Sequence, residues 1–290
     1  MKQPIELRKV RDFGQLVNDS FTFLKENFKA LFIPLLVICG FFIVLGTIGT
    51  AFTYLKKSDM YSANYDDYSN KNIQYLISLL ISTLILIITQ ACIHLVTICY
   101  ISVYLQKGNV QPVFAEVWGY FRYYFFRVLW ASIVVTLLFL LGFVLCFIPG
   151  IYLMPILYLI IPIIVIENSS FSYAFNKSFR IIKENWWVVF GVIFIMSLIV
   201  SMSSSFASLP LTLITTGSKF ISLKSFKLPV IIFFSILHSI LMLAYCLPSI
   251  AICLCYFNLD EQKDGSGLLD RIEKFGKRDD DNPALPIEEY

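Results

Sequence analysis

Phe171-Ser-Tyr-Ala-Phe-Asn-Lys-Ser-Phe-Arg-Ile-Ile-Lys-Glu-Asn-Trp-Trp-Val-Val-Phe190 is written as an amphipathic helix that runs straight into a membrane span. Phe171, Phe175, Phe179, Ile182 and Trp186 recur about once per helical turn, and Asn176, Lys177, Arg180, Lys183 and Glu184 fall on the other side. The same pattern stands near the start of the chain as Phe13-Gly-Gln-Leu-Val-Asn-Asp-Ser-Phe-Thr-Phe-Leu-Lys-Glu-Asn-Phe-Lys-Ala-Leu-Phe32. Superposed, the two share Phe, Asn, Ser-Phe, Lys-Glu-Asn and a closing Phe, which makes them an internal repeat. A weaker third copy covers about 113–127. It has Val117, Phe121, Tyr124 and Val128 on one side and Glu116, Arg122 and Arg127 elsewhere.

Composition fixes the solvent. Hydrophobic residues make up 58% of the chain and charged residues 15%, against about half and a quarter in soluble domains. Several apolar runs exceed the roughly 18 residues that mark a membrane span. The net charge of +3 carries no nucleic-acid signal. The leader Met1-Lys-Gln-Pro-Ile-Glu-Leu-Arg-Lys-Val-Arg11 has no apolar h-region, so the first span is expected to act as the insertion signal. The cysteines Cys39, Cys92, Cys99, Cys146, Cys246, Cys253 and Cys255 all lie in or at the ends of apolar runs, where thiols behave as small hydrophobes.

Six spans follow, at about Leu31–Leu55, Ile73–Leu105, Leu129–Phe147, Tyr152–Ile166, Trp187–Leu209 and Val230–Phe257. Asp12 is a plausible N-cap for the first helix, and Glu167-Asn-Ser-Ser170 supplies caps for the third amphipathic one. Lys56–Asn72 and Pro210–Pro229 read as polar loops. Pro112 sits at the first turn of a new helix, and Ile148-Pro-Gly-Ile151 reads as a tight turn. Pro155 and Pro162 predict a kinked fourth span. The order is amphipathic helix, span, span, three times over, so all three amphipathic helices share one membrane face. Of the 23 lysines and arginines, 17 lie in the N-terminal region (1–30), in 106–128, in 167–186 or in the tail, so that face and both termini are expected to be cytoplasmic. The expected organisation is a basic leader with the first amphipathic helix (1–30), spans one and two (31–105), the second amphipathic helix with spans three and four (106–167), the third with spans five and six (168–258), and a polar tail (259–290).

The blocks Ile148-Pro-Gly-Ile-Tyr-Leu, Ile161-Pro-Ile-Ile-Val-Ile-Glu-Asn, Ala174-Phe-Asn-Lys-Ser-Phe and Lys183-Glu-Asn-Trp-Trp resemble bacterial six-span proteins grouped with the glycerophosphoryl diester phosphodiesterase membrane domain and the related YciC-like inner-membrane proteins. The best match covers about 105–200. The resemblance implies a six-span architecture in a bacterial inner membrane. It implies no catalytic residue here, because in that family the phosphodiesterase site belongs to a separate soluble barrel.

The candidate chemistry lies inside the spans. Gln90, His94 and Thr97 share a face of the second span, and Ser197, Ser201, Ser204 and Ser208 line one face of the fifth. Ser235, His238, Tyr245 and Ser249 form a looser stripe in the sixth. Together Gln90, His94, Thr97, Ser197, Ser201 and His238 make a candidate polar seam, serving as interhelical glue or lining a cavity. Two histidines without an in-span carboxylate cannot build a di-iron or four-histidine centre. No HExxH, P-loop, GxSxG or dinucleotide fingerprint is present. In the tail, Leu268, Leu269, Ile272 and Phe275 form one short amphipathic face suited to partner docking. The expectation is an all-α polytopic helix bundle with three interfacial amphipathic helices and no enzymatic activity, cofactor or metal. It would contact membrane lipids and a membrane-protein partner, but no nucleic acid, as an accessory or scaffold subunit in protein biogenesis, export or envelope upkeep. The alternative is a transporter or lipid-handling protein that uses the seam between spans 2, 5 and 6.

Overall fold

The computed structural model describes residues 5–61, 63, 65–145, 147–217 and 227–265. Its helices are α1 (Phe13–Tyr61), α2 (Tyr65–Gln106), α3 (Phe114–Leu145), α4 (Phe147–Ile166), α5 (Phe171–Ile182), α6 (Trp186–Gly217), α7 (Lys227–Leu241) and α8 (Cys246–Lys263). A 3-10 turn, Met242–Tyr245, joins the last two. Six stretches are long and apolar enough to cross a bilayer. The chain is an all-α, multi-pass integral membrane protein.

Side-chain caps set where helices start. The Gln15 N–H donates to Asp12 Oδ1 at 2.7 Å and the Asp12 N–H returns to Gln15 Oε1 at 3.3 Å, a reciprocal capping box. The Val113 N–H donates to Glu116 at 2.8 Å, so α3 begins two residues after Pro112. Ser170 caps α5. Of the three amphipathic copies, only α5 is a separate helix. The first two continue without a break into α1 and α3. At 49 residues, α1 is about 74 Å long against about 30 Å of hydrocarbon, so much of it projects beyond the apolar slab.

Helix extends into both expected polar loops. Helix α1 runs to Tyr61 and α2 starts at Tyr65. Their ends are tied by Lys56 Nζ to Gln74 Oε1 at 3.0 Å and by Thr53 to Ser82 at 3.0 Å. Helix α6 continues through Pro210 to Gly217, with Thr212, Thr215 and Thr216 bonding back to its own carbonyls. The α3–α4 turn falls before the expected Ile148–Ile151, which is already helix; Pro149 sits in the first turn, where its missing N–H is harmless. Gly150 is required there: a Cβ would lie 2.7 Å from a Phe143 ring carbon, and the Gly150 backbone also packs against Gly142.

The prolines act where they were not expected to. Helix α4 is continuous through Pro155 and Pro162. The break comes in the sixth span, where Pro248 has no N–H for the Ala244 carbonyl and its ring crowds that oxygen. The Cys246 N–H reaches the Leu243 carbonyl, three residues back, giving the 3-10 turn.

The buried core is unevenly distributed. On α2 it is the C-terminal part, Cys92 to Tyr104, while Ile73 to Ile88 is largely exposed to lipid. On α4 it is Ile156 to Val165, and on α8 nearly every residue from Cys246 to Asp260. The bundle is therefore densest at the end that gathers the leader, α5 and the α8 terminus, called the basic end below. It thins toward the opposite end.

Candidate functional site

Where the dense core gives way to the thinner half, a cavity of about 290 Å³ lies between α2, α3, α4, α6 and the 3-10 turn with the start of α8. It runs from the interior, where Leu157 and Ser249 are 2% and 1% exposed, to the lipid-facing surface, where Ile87 is 57% exposed. Its walls are mainly apolar, with Val128, Val135, Phe139 and Ile161 contributing. Its polar groups are Gln90 and His94 from α2, Ser132 and Thr136 from α3, Tyr158 from α4, Ser197 from α6, and Tyr245 and Ser249 from the broken sixth span.

One hydrogen-bond chain orders this set. His94 Nδ1 lies 2.7 Å from Ser249 Oγ, and the Ser249 hydroxyl donates to the Tyr245 carbonyl at 2.9 Å. A serine has one proton to give. With it committed to Tyr245, the contact is served by Nδ1–H donating to Ser249, and His94 Nε2 is left as an acceptor in a ring that lines the cavity. Gln90, one turn before His94, has no hydrogen-bond partner among the described residues, and the Ser132, Ser197, Tyr158 and Tyr245 hydroxyls have none either. An amide left unpaired in hydrocarbon costs roughly several kcal/mol.

The expected seam is thus brought together only in part. Gln90, His94 and Ser197 meet at the cavity. Thr97 is fully buried and bonds back to the Ile93 carbonyl at 2.8 Å. Ser201 bonds to the Leu198 carbonyl at 3.0 Å on the exposed face of α6. His238 sits on α7, away from the cavity, with its Nδ1 buried and unpartnered among the described residues. The reason is the Pro248 break. It turns Tyr245 and Ser249 toward α2, while Ser235, His238 and Ser239 stay on α7, which packs against α1 and α6. Ser132 and Thr136, one helical turn apart, and Tyr158 were not singled out, because their apolar runs carry no ionisable or amide side chain beside them. The tail residues Leu268, Leu269, Ile272 and Phe275 lie outside the described residues.

The basic end carries a second polar cluster, which is structural. Lys177 was expected on the solvent side of its helix, yet it is 8% exposed. The buried stripe of α5 is Ala174, Lys177, Ser178 and Ile181, and the phenylalanine row 171, 175 and 179 stacks along a half-buried side. Lys177 donates to Glu167 and, at 2.7 Å, to Asp260, with Asp264 at 3.7 Å and the Tyr256 ring 5.6 Å away. Tyr256 donates its hydroxyl to Glu167 as well. Burial works against the charged lysine, but the hydrogen bonds and charges of Asp260 and Glu167 outweigh it and hold the ammonium above its usual value. Two residues earlier on α8, Asn258 accepts the Arg11 N–H at 2.7 Å, while the Arg11 guanidinium pairs with Asp19 at 2.8 Å. Asp19 and Lys177 occupy the same place in the internal repeat. The two copies thus carry opposite charges there, each neutralised by a partner from another segment.

Ser249 and His94 stand at the separation of a nucleophile and its base, but among the described residues no carboxylate lines the cavity to orient the ring. The Ser249 hydroxyl is committed to a backbone carbonyl, and Pro248 beside it offers no N–H for an oxyanion. No family model, curated protein or solved structure matches this chain.

Proposed function

We propose that the protein binds a small amphipathic molecule of the bilayer in the α2–α3–α8 cavity and acts as a lipid-handling or transport protein of a bacterial inner membrane, with its basic end in the cytoplasm. One observation carries the reading: Gln90, an amide in the middle of an apolar span, has no partner among the described residues and opens into a cavity with His94 and Ser249. An intramembrane polar group without a partner marks a binding or passage site more readily than packing glue. The break in the sixth span supports the same reading, since transporters build midplane sites at interrupted helices. Net positive charge in the leader and in 167–186 supports the orientation. The scaffold role expected from the sequence depends on a docking tail outside the described residues, and no described feature favours it.

Native mass spectrometry of the full chain released from nanodiscs tests this. The wild type is expected to retain a lipid-sized adduct, and Ser132→Trp, which fills the cavity, to lose it. An adduct equally retained by both, or absent from both, would sink the reading.

A further inference from the structure

We propose that the ligand is an uncharged lipid with a free hydroxyl, of the diacylglycerol class, and that it enters sideways from the bilayer. This rests on the amphiphile-binding reading above and adds the ligand's charge, its polar group and its route.

The charge follows from the lining. Among the described residues, no Asp, Glu, Lys or Arg lines the cavity. A lipid phosphate placed there would lose its hydration with no counter-charge to replace it, the most expensive transfer a low-dielectric interior can impose. The buried ion pairs lie instead in the Lys177 and Arg11 clusters at the basic end.

The polar group follows from the hydrogen-bond chain. His94 gives its Nδ1 proton to Ser249, so Nε2 can only accept. A carbonyl cannot satisfy it, whereas a hydroxyl donates to it directly. Gln90 stands one helical turn away on the same face, within reach of the same group. Its NH₂ can donate to the ligand's hydroxyl oxygen or to an adjacent ester carbonyl. An alcohol next to an ester, as in a diacylglycerol, meets both requirements.

The route follows from size and exposure. A space of about 290 Å³ equals roughly ten water volumes at about 30 Å³ each. It takes a glycerol unit and the first methylenes, but not two long chains. The mouth is formed by Ile87 and Thr136, both on the exposed surface of the apolar spans. The acyl chains therefore remain in the bilayer, along the thinner half of the bundle, while the head reaches His94.

The test uses the full chain in phosphatidylcholine nanodiscs with a diacylglycerol that carries a diazirine in one acyl chain. After irradiation, adducts are expected on α2 and α3 beside Ile87 and Phe139. Excess dioleoylglycerol should compete them away, and an equal excess of dioleoylphosphatidylglycerol should not. Gln90→Leu and His94→Phe should each weaken labelling about tenfold, the equivalent of about 1.4 kcal/mol and of one hydrogen bond. Gln90 is solvent-accessible in the isolated chain, so its variant tests recognition even where His94→Phe fails to fold. Equal competition by phosphatidylglycerol, with Ser132→Trp still abolishing labelling, overturns the neutral-ligand inference and leaves the binding reading standing. Undiminished labelling of a folded Gln90→Leu protein overturns the hydroxyl recognition. Labelling that neither lipid nor Ser132→Trp reduces overturns both.

Discussion

Lys177→Met removes the cation at the centre of the basic-end cluster and keeps its volume. The side chains of Glu167 and Asp260 are 20% and 7% exposed, so each loses a counter-charge in a site with little water. Removing one partner of a buried pair costs about 3–5 kcal/mol, because the remaining charge stays buried and uncompensated. Glu167 keeps the Tyr256 hydroxyl as a donor, which puts the expected loss at the lower end, about 3 kcal/mol. At about 2–4 °C per kcal/mol the unfolding midpoint should fall by about 6–12 °C. The assay is thermal unfolding of purified protein in detergent, followed by tryptophan fluorescence. The triple variant Lys177→Met, Glu167→Gln, Asp260→Asn removes all three charges and should recover most of the loss, because neutral groups of this shape carry no comparable desolvation cost. The pH dependence has a definite sign. The lysine's folded value is raised above 10.5, so its stabilisation is complete below that pH and fades only as the pH climbs through the higher folded value. The gap between wild type and Lys177→Met should therefore not change with lysine titration between about pH 6 and 9. A midpoint within about 1 °C of wild type, or a triple variant as unstable as the single one, would refute the claim that Lys177 acts by neutralising buried carboxylates.

Four further outcomes are expected. Gly150→Ala should destabilise the α3–α4 hairpin by about 1–3 kcal/mol, read as a lowered unfolding midpoint, because its Cβ meets the Phe143 ring at 2.7 Å. In a cysteine-free background, Tyr65→Cys should react with an impermeant maleimide only from outside the cell and Tyr173→Cys only after permeabilisation; both side chains are exposed, and reversal of either breaks the topology. A fluorophosphonate probe should leave Ser249 unmodified, and a covalent adduct there would replace a binding cavity with a catalytic one. Pro248→Ala restores the missing N–H and should lower diazirine-lipid labelling without lowering the unfolding midpoint; unchanged labelling would mean that the break does not shape the cavity.

The six spans were legible because membrane solvent demands long apolar runs, and such runs stand out in sequence. Helix starts were legible at Asp12 and Ser170, because caps act within three residues. What failed was anything set by partners distant in sequence. Periodicity placed Lys177 among the polar residues of its helix, where a lone lysine belongs. It is buried because Asp260, 83 residues away, meets it there. The phenylalanine row that looked like the core-facing stripe faces the side of the bundle, since in a bilayer an apolar face has two acceptable neighbours, protein and lipid. The seam failed for the same reason. Gln90 and His94 were found by spacing within one helix, but Ser249, the partner of His94, comes from a helix whose orientation is set by Pro248. Proline positions alone did not say which helix would break. Pro155 and Pro162 lie in the well-packed α4, while Pro248 follows a turn that also borders a cavity.

Helix α8 connects the two polar features. Ser249 stands at its cavity end and Asp260 at its basic end, 11 residues apart in the numbering, or about 16 Å along a helix. Between them almost every side chain is buried, so the segment is held all round and moves as a unit or not at all. Its upstream joint is the 3-10 turn, whose hydrogen bonds are shorter in register and weaker than those of an α-helix. Its downstream end is clamped twice, by the Arg11 backbone N–H of the leader, whose guanidinium Asp19 holds, and by Lys177 of the third repeat copy. The equivalent repeat positions of opposite charge thus act on one helix, Asp19 through Arg11 and Lys177 directly. Loosening either grip frees α8 to pivot at Met242–Tyr245 and carries Ser249 away from His94. Asp19→Asn and Lys177→Met should therefore both weaken lipid labelling at Ile87, although neither residue lines the cavity. Labelling unchanged in a folded Lys177→Met protein would separate the two features and leave the clamp with stability as its only role.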